Sequence, residues 1–251
     1  MAESTLSDQY DDLMLTVAVF LGYGRNSTNW GATRTAQMAD IIKSGLRQFY
    51  YPPMPHAWSF LKPVTTLITA ADDYDYDLPD DYGGINGSFT YSVSTLYPAI
   101  SVVGEGQIRD ARQGYTPSGR PKVAAIRPKT SDGTEGQRFE VIFWPTPNGI
   151  WTLGYCYNVL PDKIQTLNPY HYGGMAHAET VLASCLSIAE ERMNDEHGIH
   201  YEKFQERLAA SIEYDLKSNM PDYFGYNGDG SFDADKPERQ GIRVSFNGVF
   251  Y

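Results

Sequence analysis

Cysteine is nearly absent from this sequence. Cys156 and Cys185 are its only two thiols in 251 residues, and they lack the paired spacing of a disulfide framework or a zinc module. Both are read as small buried hydrophobes in a reducing compartment. Long apolar runs are missing too, since no stretch approaches the ~20 residues needed to span a bilayer. The opening Met1-Ala2-Glu3-Ser4-Thr5 carries no basic flank, and Asp8, Asp11 and Asp12 interrupt the first apolar run. No secretory leader is therefore expected, and the chain reads as made in the cytosol. Cations are scarce: 20 Lys and Arg stand against 31 Asp and Glu, for a net charge of −11. That balance argues against a protein that grips phosphates by electrostatics alone.

Catalytic patterns are equally scarce. The five histidines are His56, His171, His177, His197 and His200. Neither the 171/177 nor the 197/200 pair makes a metal-binding helix motif. Gly83-Gly84-Ile85-Asn86-Gly87 and Gly104-Glu105-Gly106 lack the spacing and the following helix of a phosphate loop. No nucleophile elbow is present. The run Asp72-Asp73-Tyr74-Asp75-Tyr76-Asp77 invites a cation or a glycosidase carboxylate pair, but neighbouring carboxylates on a strand alternate faces. It is read as a solvated loop with tyrosine packing. Asn227 to Glu238 loosely matches calcium-loop spacing, yet Phe232 stands where glycine is required and Pro237 precedes the last ligand. No catalytic residue, cofactor or metal site is assigned.

Aromatic residues, by contrast, are abundant: 19 Tyr, 11 Phe and 4 Trp. Tyrosine pairs an apolar body with a polar tip, which suits surfaces that are wet before assembly and buried after it. A tyrosine-rich β core would give the same count.

The periodicity predicts helices at both ends of the chain. Tyr10, Leu13, Met14, Val17, Phe20 and Leu21 recur at helical spacing, with Ser7 as N-cap and Gly22 as stop. A second helix runs from about Thr33 to Tyr50, ended by Pro52, Pro53 and Pro55. From about Met175, the stripe Val181, Leu182, Cys185, Leu186, Ala189, Met193 marks a third, and Ile199 to Asn219 a fourth. Between them the period falls to two. Strands are expected at 64–69, 87–94, 100–108, 121–127, 138–144 and 151–158, as in an antiparallel sandwich or barrel. Phe139 to Trp144 should be buried on most of both faces. Ile150 to Tyr157 is taken as its hairpin partner across Pro145–Gly149.

The expected fold class is thus α+β. Residues 1–57 and 169–220 supply the helices of a four-helix bundle, 58–168 form an inserted antiparallel β-sandwich or barrel-like domain, and 221–251 form an extended C-terminal arm. The arm ends on Val244, Phe246, Val249, Phe250 and Tyr251, an apolar choice that points to docking on a partner or to folding back on its own domain.

Several segments resemble the head-to-tail adaptor (tail tubular A-like) proteins of tailed phages and prophages. They are Phe49-Tyr50-Tyr51-Pro52-Pro53 with Ala57-Trp58-Ser59-Phe60-Leu61, and Tyr74 to Gly83 around Leu78-Pro79. Gly119-Arg120-Pro121 leading to Ala125-Ile126-Arg127-Pro128 is another. Gly136 to Glu140, Trp144-Pro145-Thr146-Pro147, and the helix ending Ala189-Glu190-Glu191 complete the set. The resemblance implies a non-enzymatic virion protein in the neck, between capsid and tail. It implies a ring of about twelve copies closed by heterologous contacts, bound to the portal above and to a tail or nozzle protein below. Genomic DNA would pass through it without sequence-specific binding; the acidic excess itself, with no counterpart in the resemblance, leads to the expectation of channel walls that repel the phosphates. By position, Val244, Phe246, Val249, Phe250 and Tyr251 match the family's portal-docking end. Two other readings stand beside this one: a different neck or tail-completion protein, and a glycan-binding tail component using Trp58, Trp144 and Trp151.

Overall fold

The computed structural model describes residues 3–92, 97–131, 133–134, 136–218, 245–246 and 249–250. The chain is a mixture of helices and sheets divided into two compact units. Unit 1 comprises Met1–Leu61 and Pro161–Asp222, and unit 2 comprises Lys62–Leu160 and Tyr223–Tyr251.

Unit 1 holds four long helices: α1 (Tyr10–Phe20), α2 (Ala32–Tyr50), α4 (Ala178–Asn194) and α5 (Ile199–Ser218). Helix α1 starts two residues later than the sequence suggests. Gln9, not Ser7, is its N-cap, and the Gln9 N–H donates to Asp12 Oδ2 at 3.1 Å. The entering segment is fixed by the Tyr10 N–H, which donates to the Pro169 carbonyl at 2.8 Å. Gly22, at φ +77°, ends α1 in the left-handed region that glycine adopts at least cost. Helix α4 lies against α1, α2 and α5. Leu13, Val17, Met38, Ile41, Val181, Cys185, Phe204 and Leu208 are fully or almost fully buried between them.

The α2–α4 contact is made by small residues. A side chain at Gly45 would place its Cβ 2.7 Å from Cys185 Cα, so only glycine allows the two backbones this close. Ser184 Oγ lies 2.7 Å from the Gly45 carbonyl oxygen, and Ser184 and Ser187 both reach Gln48 Oε1. The predicted α4 stripe is only partly inward as a result. Leu182 and Leu186 line an open groove of about 510 Å³ against α5, and Met193 is exposed.

Unit 2 is built from short strands and one helix. Strands β1 (Val64–Ile68), β9 (Thr152–Val159) and β3 (Tyr82–Tyr91) form one sheet in the order β1-β9-β3, antiparallel throughout. Strands β2 (Asp75–Asp77), β7 (Phe139–Trp144), β6 (Val123–Pro128) and β4 (Ser101–Val102) form a second, in the order β2-β7-β6-β4. Its last pair, β4 with β6, is parallel. A parallel bridge also joins β5 (Ser118–Gly119) to β8 (Thr146–Pro147). Among the described residues no sheet closes into a barrel. Val141, Ile142 and Phe143 are buried, as the double-faced apolar run of β7 predicts.

Two expectations fail here. The segment 100–108 is not one strand: β4 is two residues long, and the chain turns at Gly104 into α3 (Glu105–Gly114). Ile108 is the residue α3 buries, packed with Ala125 and Ile142. Nor are β7 and β9 a hairpin. β7 pairs with β2 and β6, and β9 with β1 and β3, so the segment Pro145–Trp151 crosses between sheets. Thr69 holds that crossing, its Oγ1 donating to the Gly149 carbonyl and accepting from the Trp151 N–H.

The chain ends in β10 (Ser245–Phe246) and β11 (Val249–Phe250), paired antiparallel with each other. The Asn227–Glu238 segment lies outside the described residues.

Candidate functional site

The most developed polar arrangement is in unit 1, where the Pro52–Leu61 turn meets the end of α5. Asp215 is 2% exposed. Its Oδ2 lies 2.8 Å from His56 Nε2 and accepts the Ser59 N–H at 3.2 Å, while Oδ1 accepts the Ser59 hydroxyl. Around this hub sit Phe49, Trp58, Phe60, His177 and Tyr214, with Trp58 Nε1 donating to the Phe49 carbonyl at 3.2 Å.

A serine, a histidine and an aspartate in contact suggest nucleophilic catalysis, but the geometry is wrong for it. Both Ser59 and His56 spend their bonds on the carboxylate, so the imidazole is not aimed at the hydroxyl as a base must be. The arrangement is a clamp. One buried carboxylate ties residues 56 and 59 to a helix some 156 residues further on. Sequence spacing gave no signal for it, because its partners are that far apart.

Burial pushes Asp215 up, but the bonds from Ser59 and His56 prevail and hold it below the usual carboxylate range. His171 and His177 are both lowered, chiefly by burial. His171 Nδ1 donates to the Tyr172 carbonyl at 2.8 Å, while His171 Nε2 and His177 Nδ1 are buried without a hydrogen-bond partner among the described residues. With folded-state pKa values below the unfolded value of ~6.5, these histidines bind protons better in the unfolded chain. Their contribution to stability is full above that pH and is lost as pH falls through their folded-state pKa values. Unfolding in guanidinium is therefore expected to need less denaturant at pH 5 than at pH 7.5. A midpoint independent of pH over that window would refute this.

The remaining candidates do not converge on chemistry. His197 stacks on Tyr201 and His200 meets the Phe20 ring edge-on, so neither faces a metal. Among the described residues no group of three or more His, Cys, Asp or Glu is placed to hold a metal ion, and no helix is long and apolar enough to cross a membrane. The acidic run around Asp75 is only partly a loop. Asp75–Asp77 is the edge strand β2, and Asp77 pairs with Lys129 at 2.6 Å. Trp58 is buried, while Trp144 and Trp151 are half-buried, Trp144 packed against the Ile108, Ala125 and Ile142 cluster. Trp151 meets Tyr91 and Tyr97, and Arg120 lies 4.1 Å from the centre of the Tyr97 ring, so an arginine already occupies that aromatic cluster. Cys185 is buried, its thiol pushed up to about 12 by burial, while Cys156 is half-buried. Of the docking residues, Val244 and Tyr251 lie outside the described residues, and Phe246, Val249 and Phe250 fall in the terminal strand pair.

With this geometry in view, comparison with known families is decisive. The model of the SU10 adaptor protein family matches residues 8–224. The chain belongs to the SU10 adaptor protein family. It is thus a phage structural adaptor, of a family that joins head to tail. No curated protein matches it. The matched span takes in the four long helices of the adaptor and both sheets of unit 2, and stops short of the terminal strands. Features outside the match, β10 and β11 foremost, therefore need their own account.

Proposed function

We propose that this adaptor is of the tail tubular A-like kind: a ring of about twelve copies that joins the portal to the tail and lines the channel for DNA. In this reading four helices of unit 1 act as a bundle, and the sheets of unit 2 pack as a sandwich-like domain inserted between its halves. The family match over residues 8–224 carries the reading. The clamp at Asp215 supports a mechanical role, since the Ser59 N–H, the Ser59 hydroxyl and His56 Nε2 are all spent on its carboxylate. The protein works without catalysis or cofactor.

Val244, Phe246, Val249, Phe250 and Tyr251 dock on the portal. The net charge of −11 keeps the passing phosphates from sticking to the channel wall. The protein is made in the host cytoplasm and resides in the neck of the virion, with the portal on one side and a tail or nozzle protein on the other.

Quantitative mass spectrometry of purified particles tests the reading. A one-to-one ratio with the portal, at about twelve copies, is expected for a closed cyclic ring. A clearly different ratio would reject the portal-tail ring in favour of another neck or tail-completion role.

A further inference from the structure

The edge of a β-sheet exposes backbone donors and acceptors to any strand that reaches it, and proteins usually guard their edges. The three- and four-stranded sheets of unit 2 have four edges, and three of them are guarded. β2 carries Asp75 and Asp77 within a run that also holds Asp72, Asp73, Asp80 and Asp81. β4 is two residues long. β3 is broken by two register shifts and bridged by Ile100 at Phe89.

β1 has no guard. Val64-Thr65-Thr66-Leu67-Ile68 contains no charge and no proline, and it pairs with β9 without a shift. Among the described residues no strand lies on its other side. Val64 and Ile68 are 77% and 63% exposed.

A strand able to use this edge lies in the same chain. Among the described residues β10 and β11 pair only with each other, two residues to a strand, and a hairpin that small is marginal by itself. Asn247-Gly248 stands between them in sequence, the pair favoured in tight hairpin turns. Ile242, Val244 and Phe246 alternate with Arg243, Ser245 and Asn247, the period of a strand with one apolar face. The segment 219–244 outside the described residues, if extended, reaches up to ~85 Å from the end of α5, far enough for a neighbouring molecule. Charge narrows the choice of partner surface. Two copies at −11 each repel one another, but β1 and Val244–Tyr251 are both uncharged.

We propose that, before the portal is engaged, the terminal hairpin of one copy adds to the β1 edge of a second copy and extends the β1-β9-β3 sheet. Backbone hydrogen bonds supply the affinity, and the alternating apolar side chains set the register. The inference rests on the terminal residues being a docking element, and it names the partner they hold in the free protein.

The test uses purified full-length protein without portal, so its failure leaves the portal ratio to be judged separately. Two populations carry C156S. One also carries T66C, the other F246C. After mixing and mild oxidation, a disulfide-linked heterodimer is expected, absent when either new cysteine is omitted. In sedimentation runs, T66K/I68K should weaken self-association at least about tenfold with an unchanged circular dichroism spectrum. A chain that stays monomeric at every concentration, a missing heterodimer, or self-association untouched by T66K/I68K would each overturn the proposal.

Discussion

Replacing Asp215 by alanine is expected to lower the unfolding free energy by about 3–5 kcal/mol, the range for leaving a buried partner of a charged network unpaired. The Ser59 N–H, the Ser59 hydroxyl and His56 Nε2 all point at the carboxylate that would be lost. In a chain of this size the melting temperature should fall on the order of 10 °C. Asp215→Asn keeps oxygen and shape and should cost less. Ser59→Ala removes the hydroxyl but not the N–H bond and should cost about 1–2 kcal/mol. This ordering separates a clamp from a generally sensitive site. An alanine variant that melted within a degree or two of the parent would show that the hub does not hold the 52–61 turn to α5.

The second large effect is steric. Gly45→Val is expected to destabilise unit 1 by about 3 kcal/mol or more, the upper range for overpacking a tight interface. The Cβ it introduces meets Cys185 Cα at 2.7 Å and the Cys185 N at 2.9 Å, and backbone atoms cannot step aside as a flexible side chain would. Trimming Cys185 to alanine in the same chain should therefore not rescue it. A suitable control is Gly114→Ala, where nothing lies within 4 Å of the added Cβ and φ is not positive. That change should be neutral or slightly stabilising, because alanine narrows the unfolded ensemble. Equilibrium denaturation of the three variants decides the matter: rescue by Cys185→Ala would place the clash in the sulfur alone.

Much of this architecture was legible in the residues. The apolar spacing of Met38, Ile41, Ile42, Leu46 and Phe49 dictates α2 to within a residue of its start, and the prolines after Tyr51 end it. The unbroken apolar run of β7 gives its burial directly. α3 was hidden because a ten-residue helix that buries Ile108 alone shows no stripe, while the Ile and Val before it read as strand. The β7–β9 pairing was misread because proximity in sequence favours hairpins, and nothing in Pro145–Trp151 announces the Thr69 contacts that carry the chain to the other sheet. α4 itself was legible, but only half of its apolar stripe turns inward. Its inner face is serine, alanine and cysteine facing a glycine, so burial there follows backbone approach rather than hydrophobicity. The Asp215 clamp joins residues far apart in sequence, and no local pattern encodes it.

The way unit 2 is attached has a consequence for how such chains can change. Its 62–160 part is entered through Lys62 and left through Leu160, and the strands at these two crossings are zipped side by side, Val64 opposite Cys156 and the Tyr157 N–H donating to the Pro63 carbonyl at 3.3 Å. A segment whose two ends leave together behaves as a cassette. The chain running from Leu61 to Pro161 needs only a short bridge if everything between them is removed or exchanged, and closing a short loop costs little entropy. A β module of different shape can thus take the place of residues 62–160 without any change to the helices that flank it in sequence.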